Sequence, residues 1–73
     1  MPNLAKELQD LALADVHIAE GEGNIARIKN ALDDERVEGR DVTTAQSSLD
    51  ALLGIQEEFI THRALIAQTI EDI

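Results

Sequence analysis

Two ladders of apolar residues, each with a period of seven, constrain this chain more than any other feature. Leu4, Leu11, Ile18, Ile25 and Leu32 make the first; Ala45, Leu52, Phe59, Ile66 and Ile73 make the second. A seven-residue apolar repeat marks an α-helix that packs along one stripe against another helix. The ladders mirror each other about the stretch Val37-Glu38-Gly39-Arg40-Asp41. Leu32 pairs with Ala45, Ile25 with Leu52, Ile18 with Phe59, Leu11 with Ile66 and Leu4 with Ile73, and each pair of residue numbers adds to 77. One antiparallel register therefore serves the whole length. The expected fold is all-α: a single antiparallel two-helix hairpin, with a helix over about 3–38, a turn over about 39–41 and a helix over about 42–72.

Local signals agree with those boundaries. Asn3, after Pro2, can accept hydrogen bonds from the orphan N–H groups of the first turn, and Glu7 and Asp10 suit the positive end of the helix dipole. Gly39 can take the left-handed conformation that ends a helix. Asp33, Asp34, Glu35 and Glu38 sit badly at a helix C-terminus, and Arg36 and Arg40 partly offset them. Asp41 offers a cap for the second helix, with Thr43 and Gln46 as a competing capping box. The weak point is Glu20-Gly21-Glu22-Gly23-Asn24, since each interior glycine costs roughly 1 kcal/mol relative to Ala. A break there would give three helices, with Asn24 capping the second. Ile18 and Ile25 nevertheless stay in phase across it, and Asn24 is followed at the third position by Arg27 rather than Glu or Gln. A continuous first helix is expected, with Gly21 leaving room for the Phe59 ring.

The edges of the two stripes do not match. With Leu4 and Val42 each opening a heptad at position a, the second helix presents Leu53, Ile60 and Ala67 at position e. The facing e edge of the first helix carries Asp15, Glu22 and Lys29. Position b of the first helix is an alanine ladder, Ala5, Ala12, Ala19 and Ala26, and it lets another helix approach closely. Area points the same way. Ordering a chain of this size costs on the order of 100 kcal/mol, at about 1.5 kcal/mol per residue. Offsetting that takes roughly 4,000 Å² of apolar burial at about 25 cal/mol per Å², more than one thin seam supplies. The expected solution is a homodimer, two hairpins packed into a four-helix bundle through Leu53, Ile60, Ala67, Ala12, Ala19 and Ala26. Gln56 and Arg63, polar at a positions, are expected to set register, with Asp10 or Asp15 as partner for Arg63. Leu13 and Leu65 fall on outward positions.

Composition then narrows the function. Phe59 is the single aromatic, which argues against an aromatic-lined ligand pocket. There is no Cys, hence no disulfide framework, thiolate metal site or Cys nucleophile. No apolar run approaches the ~20 residues that span a bilayer, and no signal-peptide core is visible, so a cytoplasmic location is expected. The net charge is −9, spread over both halves. Such a surface repels phosphate and speaks against nucleic acid and anionic membrane as partners. No phosphate-binding loop follows a strand, and Thr43, Thr44, Ser47 and Ser48 read as cap and surface residues, so no catalytic activity is expected.

One side-chain constellation could carry chemistry. His17 and His62 both fall at position g, on edges that meet in an antiparallel pair. Glu58 precedes His62 by one helical turn, and Glu20 follows His17 by three residues. Imidazoles and carboxylates on neighbouring helices could bind zinc or another divalent ion. Finally, His17-x-x-x-Gly21-x-x-x-Ile25, Gly39-x-Asp41-x-x-x-Ala45-x-x-x-Leu49 and Glu57 or Glu58 before His62 resemble a group of short alphaproteobacterial helical-hairpin proteins. Val42 departs from the Thr that often follows the Asp in such sequences. The resemblance implies a stand-alone cytoplasmic hairpin and brings no substrate, partner or catalytic residue with it. The function expected is a small acidic structural or protein-interaction module working as a homo-oligomeric bundle. A metal-binding or metal-sensing bundle using His17 and His62 is the alternative, and an acidic mimic of nucleic acid the third.

Overall fold

The computed structural model describes residues 3–73 and is an all-α helical hairpin. Its first helix, α1, spans Leu4–Val37, and its second, α2, spans Thr43–Asp72. The pair forms a rod of 55 × 14 × 13 Å, the length that some 34 residues reach at about 1.5 Å each. α1 runs through Gly21 and Gly23 without a break. The in-phase ladder on either side outweighs the propensity cost of the two glycines.

Each helix end satisfies its own backbone. The Asn3 side chain accepts from the N–H groups of Ala5 and Lys6 at 3.0 and 3.3 Å, while Pro2 lies outside the described residues. At the other end of α1, Gly39 adopts φ 74°, the left-handed region. Its N–H donates to the Arg36 carbonyl at 3.1 Å, and the Arg40 N–H donates to the Glu35 carbonyl at 3.0 Å. That pair of bonds is a Schellman closure, which occupies carbonyls the helix leaves open. Asp41 then accepts from both the backbone N–H and the hydroxyl of Thr43, at 2.9 and 2.7 Å. Val42 occupies the N-cap position itself, without a side-chain bond. No capping box forms at Thr43: the Gln46 amide reaches Arg36 across the turn and Asp50 one helical turn on.

The seam follows the expected register. Ile25, Leu32 and Leu49 are buried together, with Ile28, Val42, Ala45 and Leu52 packed against them. Within this cluster Ile25 and Leu52, Ile28 and Leu49, and Leu32 and Ala45 are the pairs whose numbers add to 77. Beyond it the seam changes character. Ala14, Gln56 and Ile66 are buried there, while Leu4 and Ile73 at the open end remain about half exposed.

One packing expectation is corrected. The neighbour that uses the space over Gly21 is Gln56, not the Phe59 ring. A Cβ built on Gly21 would lie 1.9 Å from Gln56 Oε1. Gln56 is 8% exposed, its Nε2 donates to the Ile18 carbonyl at 3.0 Å, and its buried Oε1 has no conventional partner. The oxygen stands where a side chain would begin, so the glycine Cα–H faces it and can supply only a weak C–H···O contact.

Candidate functional site

Three features along the rod bear on function: a histidine edge, an apolar edge, and the polar layers between them.

The histidine edge does assemble in part. His17 is half-buried, and its ring centroid lies 5.4 Å from that of Phe59 at an interplanar angle of 34°. His62 is exposed, yet it lines the same shallow recess as His17, with Asp10, Leu13 and Ala14. Each of the two carboxylates expected beside them lines a groove with one histidine, but neither enters the recess that the histidines share. Glu20 borders a groove with His17, Gly21, Asn24 and Phe59, and Glu58 borders one with His62, Gly54, Thr61 and Leu65. Both sit at heptad position c, next to the g edge on its outer side, and both are exposed. Among the described residues, no three His, Asp or Glu side chains converge closely enough to hold a metal ion. The four-ligand shell of a protein zinc site therefore has no counterpart at His17, His62, Glu20 and Glu58.

On the opposite edge, Leu53 and Ile60 are 41% and 52% exposed, and Ala67 is half-buried. Ala12, Ala19 and Ala26 are exposed beside them on α1. Heptad geometry places all six on one face of the hairpin, because positions e and b are adjacent on a helix and e edges meet across an antiparallel pair. Leu8 and Ala64 share this face. Leu13, Ile55 and Leu65 are exposed on the face that carries the histidines.

Between the edges lie two polar layers. Arg63 pairs with Asp15 across the helices. Asp10, the other expected partner, is held by Lys6 at 2.9 Å, and that hydrogen bond, together with the carboxylate's charge, raises the lysine pKa above 10.5. Arg63 lies level with Ala14, and Gln56 lies level with Gly21; both pairs again add to 77. Each long polar side chain thus stands opposite one of the smallest residues on α1. The Gly21–Gln56 layer is the element that reasoning from sequence missed. The signal was present, since the register that pairs the apolar ladders also pairs these positions.

No helix among the described residues is long and apolar enough to cross a membrane. Comparison with known proteins finds no match to this chain, whether by family model, curated sequence or solved structure, so the functional reading rests on the geometry above.

Proposed function

We propose that this protein is a small acidic structural or protein-interaction module that acts as a homo-oligomeric helical bundle, without catalysis of its own. One observation carries the reading: the hairpin leaves too much surface uncovered. A compact monomer of 8.0 kDa exposes about 4,450 Å² by the usual scaling of area with mass, whereas this chain exposes 5356 Å². The excess, about 900 Å², is close to the ~800 Å² that each partner contributes to an interface of ordinary size. Much of the uncovered surface is aliphatic, including Leu8, Leu13, Val16, Leu53, Ile55, Ile60 and Leu65.

Sedimentation equilibrium across the micromolar range tests the reading. A mass of twice the chain, or a higher multiple, is the expected result; a folded, helical monomer throughout would overturn it. The double substitution Leu53→Glu, Ile60→Glu is expected to dissociate the oligomer and lower helicity at the same concentration. The expected loss is at least tenfold in affinity, since it places four carboxylates in one dimer interface.

A further inference from the structure

We infer that the second copy docks face to face on the alanine ladder and the Leu53–Ile60 edge, about a two-fold axis that crosses the hairpin at the level of Ile18. This rests on the homo-oligomer reading and adds to it a face and a symmetry.

The choice of occupant comes from area. The uncovered excess of about 900 Å² per chain matches half of a standard two-partner interface, and a rod with one matching face is covered economically by its own copy. The choice of face comes from what each side presents. One side joins the unbroken ladder Ala5, Ala12, Ala19 and Ala26 to Leu8, Leu53, Ile60, Ala64 and Ala67, with Asp50, Glu57 and Glu71 along its outer α2 rim. The histidine side offers Leu13, Ile55 and Leu65 among Lys6, Glu20, Arg27, Glu58, His17 and His62. Alanine at four successive b positions allows two helices to approach more closely than larger side chains would permit.

The position of the axis comes from charge. Beside the seam this face carries Asp15, Glu22 and Lys29, the charges that a second copy would cover most and that must then find partners. Asp15 already holds Arg63, whose side chain remains 42% exposed. Among the described residues, Glu22 and Lys29 form no ion pair in the hairpin. A two-fold axis at right angles to the helices, at Ile18, exchanges positions equally spaced on either side of that residue. Glu22 of one copy then lies level with Ala14 and Arg63 of the other, where the guanidinium can join Asp15 and Glu22 in one cluster. That opposite-charge relation occurs twice by symmetry. That axis also places Ala19 against Ala19 and Ile60 against Ile60, within one residue of the centre. Small residues meet where the α1 helices cross, and aliphatic ones where the α2 helices cross.

Single cysteines test this directly, because the chain has none of its own. Ala19→Cys places a thiol close to the axis; Ala51→Cys places one on the opposite side of the rod. Both positions are exposed and tolerate a small side chain. Mild oxidation of each variant, with its mass followed by sedimentation, is expected to yield a covalent dimer for Ala19→Cys in most of the protein and little for Ala51→Cys. A dimer by mass that links through Ala51→Cys, or through neither, overturns the face and leaves the oligomer reading standing. A monomer at micromolar concentration overturns both. A charge reversal checks the axis. Glu22→Lys is expected to weaken dimerisation about three- to tenfold by setting a second cation beside the guanidinium; an unchanged affinity would place the axis elsewhere.

Discussion

The two halves of the hairpin hold together in different ways. Near the turn, Ile25, Ile28, Leu32, Val42, Ala45, Leu49 and Leu52 make continuous aliphatic contact, and Leu32, at 2% exposure, is the most deeply buried large side chain of the rod. Toward the open end, apolar layers such as Ile18–Phe59 and Leu11–Ile66 alternate with Gly21–Gln56 and Ala14–Arg63. The first half buries more area per layer. The second half buries less, but its polar layers are selective, because Gln56 and Arg63 fit only where the opposing residue is small. A slip by one heptad would put Gln56 against Ile28 and Arg63 against Gly21 in one direction, or Gln56 against Ala14 and Arg63 against Glu7 in the other, and either removes both the Ile18 carbonyl bond and the Asp15 pair. Stability is concentrated beside the turn, and register is specified away from it. Buried polar residues in coiled coils are best attested in that second role.

The largest effect that separates the halves is expected from Leu32→Ala. It empties a closed site, at a cost of about 2–5 kcal/mol. Leu4→Ala, at the half-exposed open end, is expected to cost under about 1 kcal/mol. Urea denaturation followed by circular dichroism measures both. Comparable losses would show that the open end is as tightly packed as the turn end, contrary to this division. Amide exchange on the parent protein should grade the same way, with protection highest around Leu32 and Leu49 and falling toward both termini.

A smaller effect probes the polar layer. Gly23 has open space where a Cβ would go, whereas Gly21 has Gln56. Gly23→Ala is therefore expected to stabilise the hairpin by about 1 kcal/mol through helix propensity alone. Gly21→Ala gains the same propensity, but it drives Gln56 off the Ile18 carbonyl and out of its buried position, at about 1 kcal/mol or more. It should fall short of Gly23→Ala by at least that amount. Adding Gln56→Ala should then make the substitution at Gly21 favourable, closing a double-mutant cycle on the pair. Equal gains at both glycines would mean that the Gln56 side chain swings out freely and sets no register.

These layers show which parts of the molecule could be read from residue order. The hairpin, its turn and the pairing of Leu32 with Ala45 follow from a period and a point of reflection, both properties of the string itself. The continuity of α1 through Gly21 and Gly23 was legible because phase is preserved from Ile18 to Ile25. Spacing points from Gly21 to Phe59, the largest side chain nearby. Gln56, polar and unremarkable in composition, stands directly opposite. The choice of Asp15 over Asp10 for Arg63 depends on Lys6, which engages Asp10 from one helical turn away. Such competition among charges is invisible to an argument from spacing. The histidines illustrate the opposite limit: spacing brings His17 and His62 to one recess, but that Glu20 and Glu58 line the grooves beside it and not the recess itself depends on side-chain direction in three dimensions.

The smallest expected effect lies at the turn itself, where the two halves of the sequence meet. Asp41 is held below its ordinary pKa of 3.8, first by the Thr43 hydroxyl and then by the Thr43 backbone N–H. Both donors favour the carboxylate over the acid. A carboxylate whose folded pKa is depressed contributes stability that is present above its unfolded value and is lost as pH falls through the folded one. For Asp41 the window therefore opens just below pH 3.8 and extends downward. Since the group is fully exposed, water competes for the same hydrogen bonds, and the contribution is small. Asp41→Asn keeps an acceptor for Thr43 but removes the titration. Thermal unfolding at pH 7 and at pH 2.5 should show less acid sensitivity in that variant than in the parent, with Asp50→Asn as a control on a neighbouring carboxylate. A parent and an Asp41→Asn variant that lose stability in parallel on acidification would remove Asp41 from the account of how α2 begins.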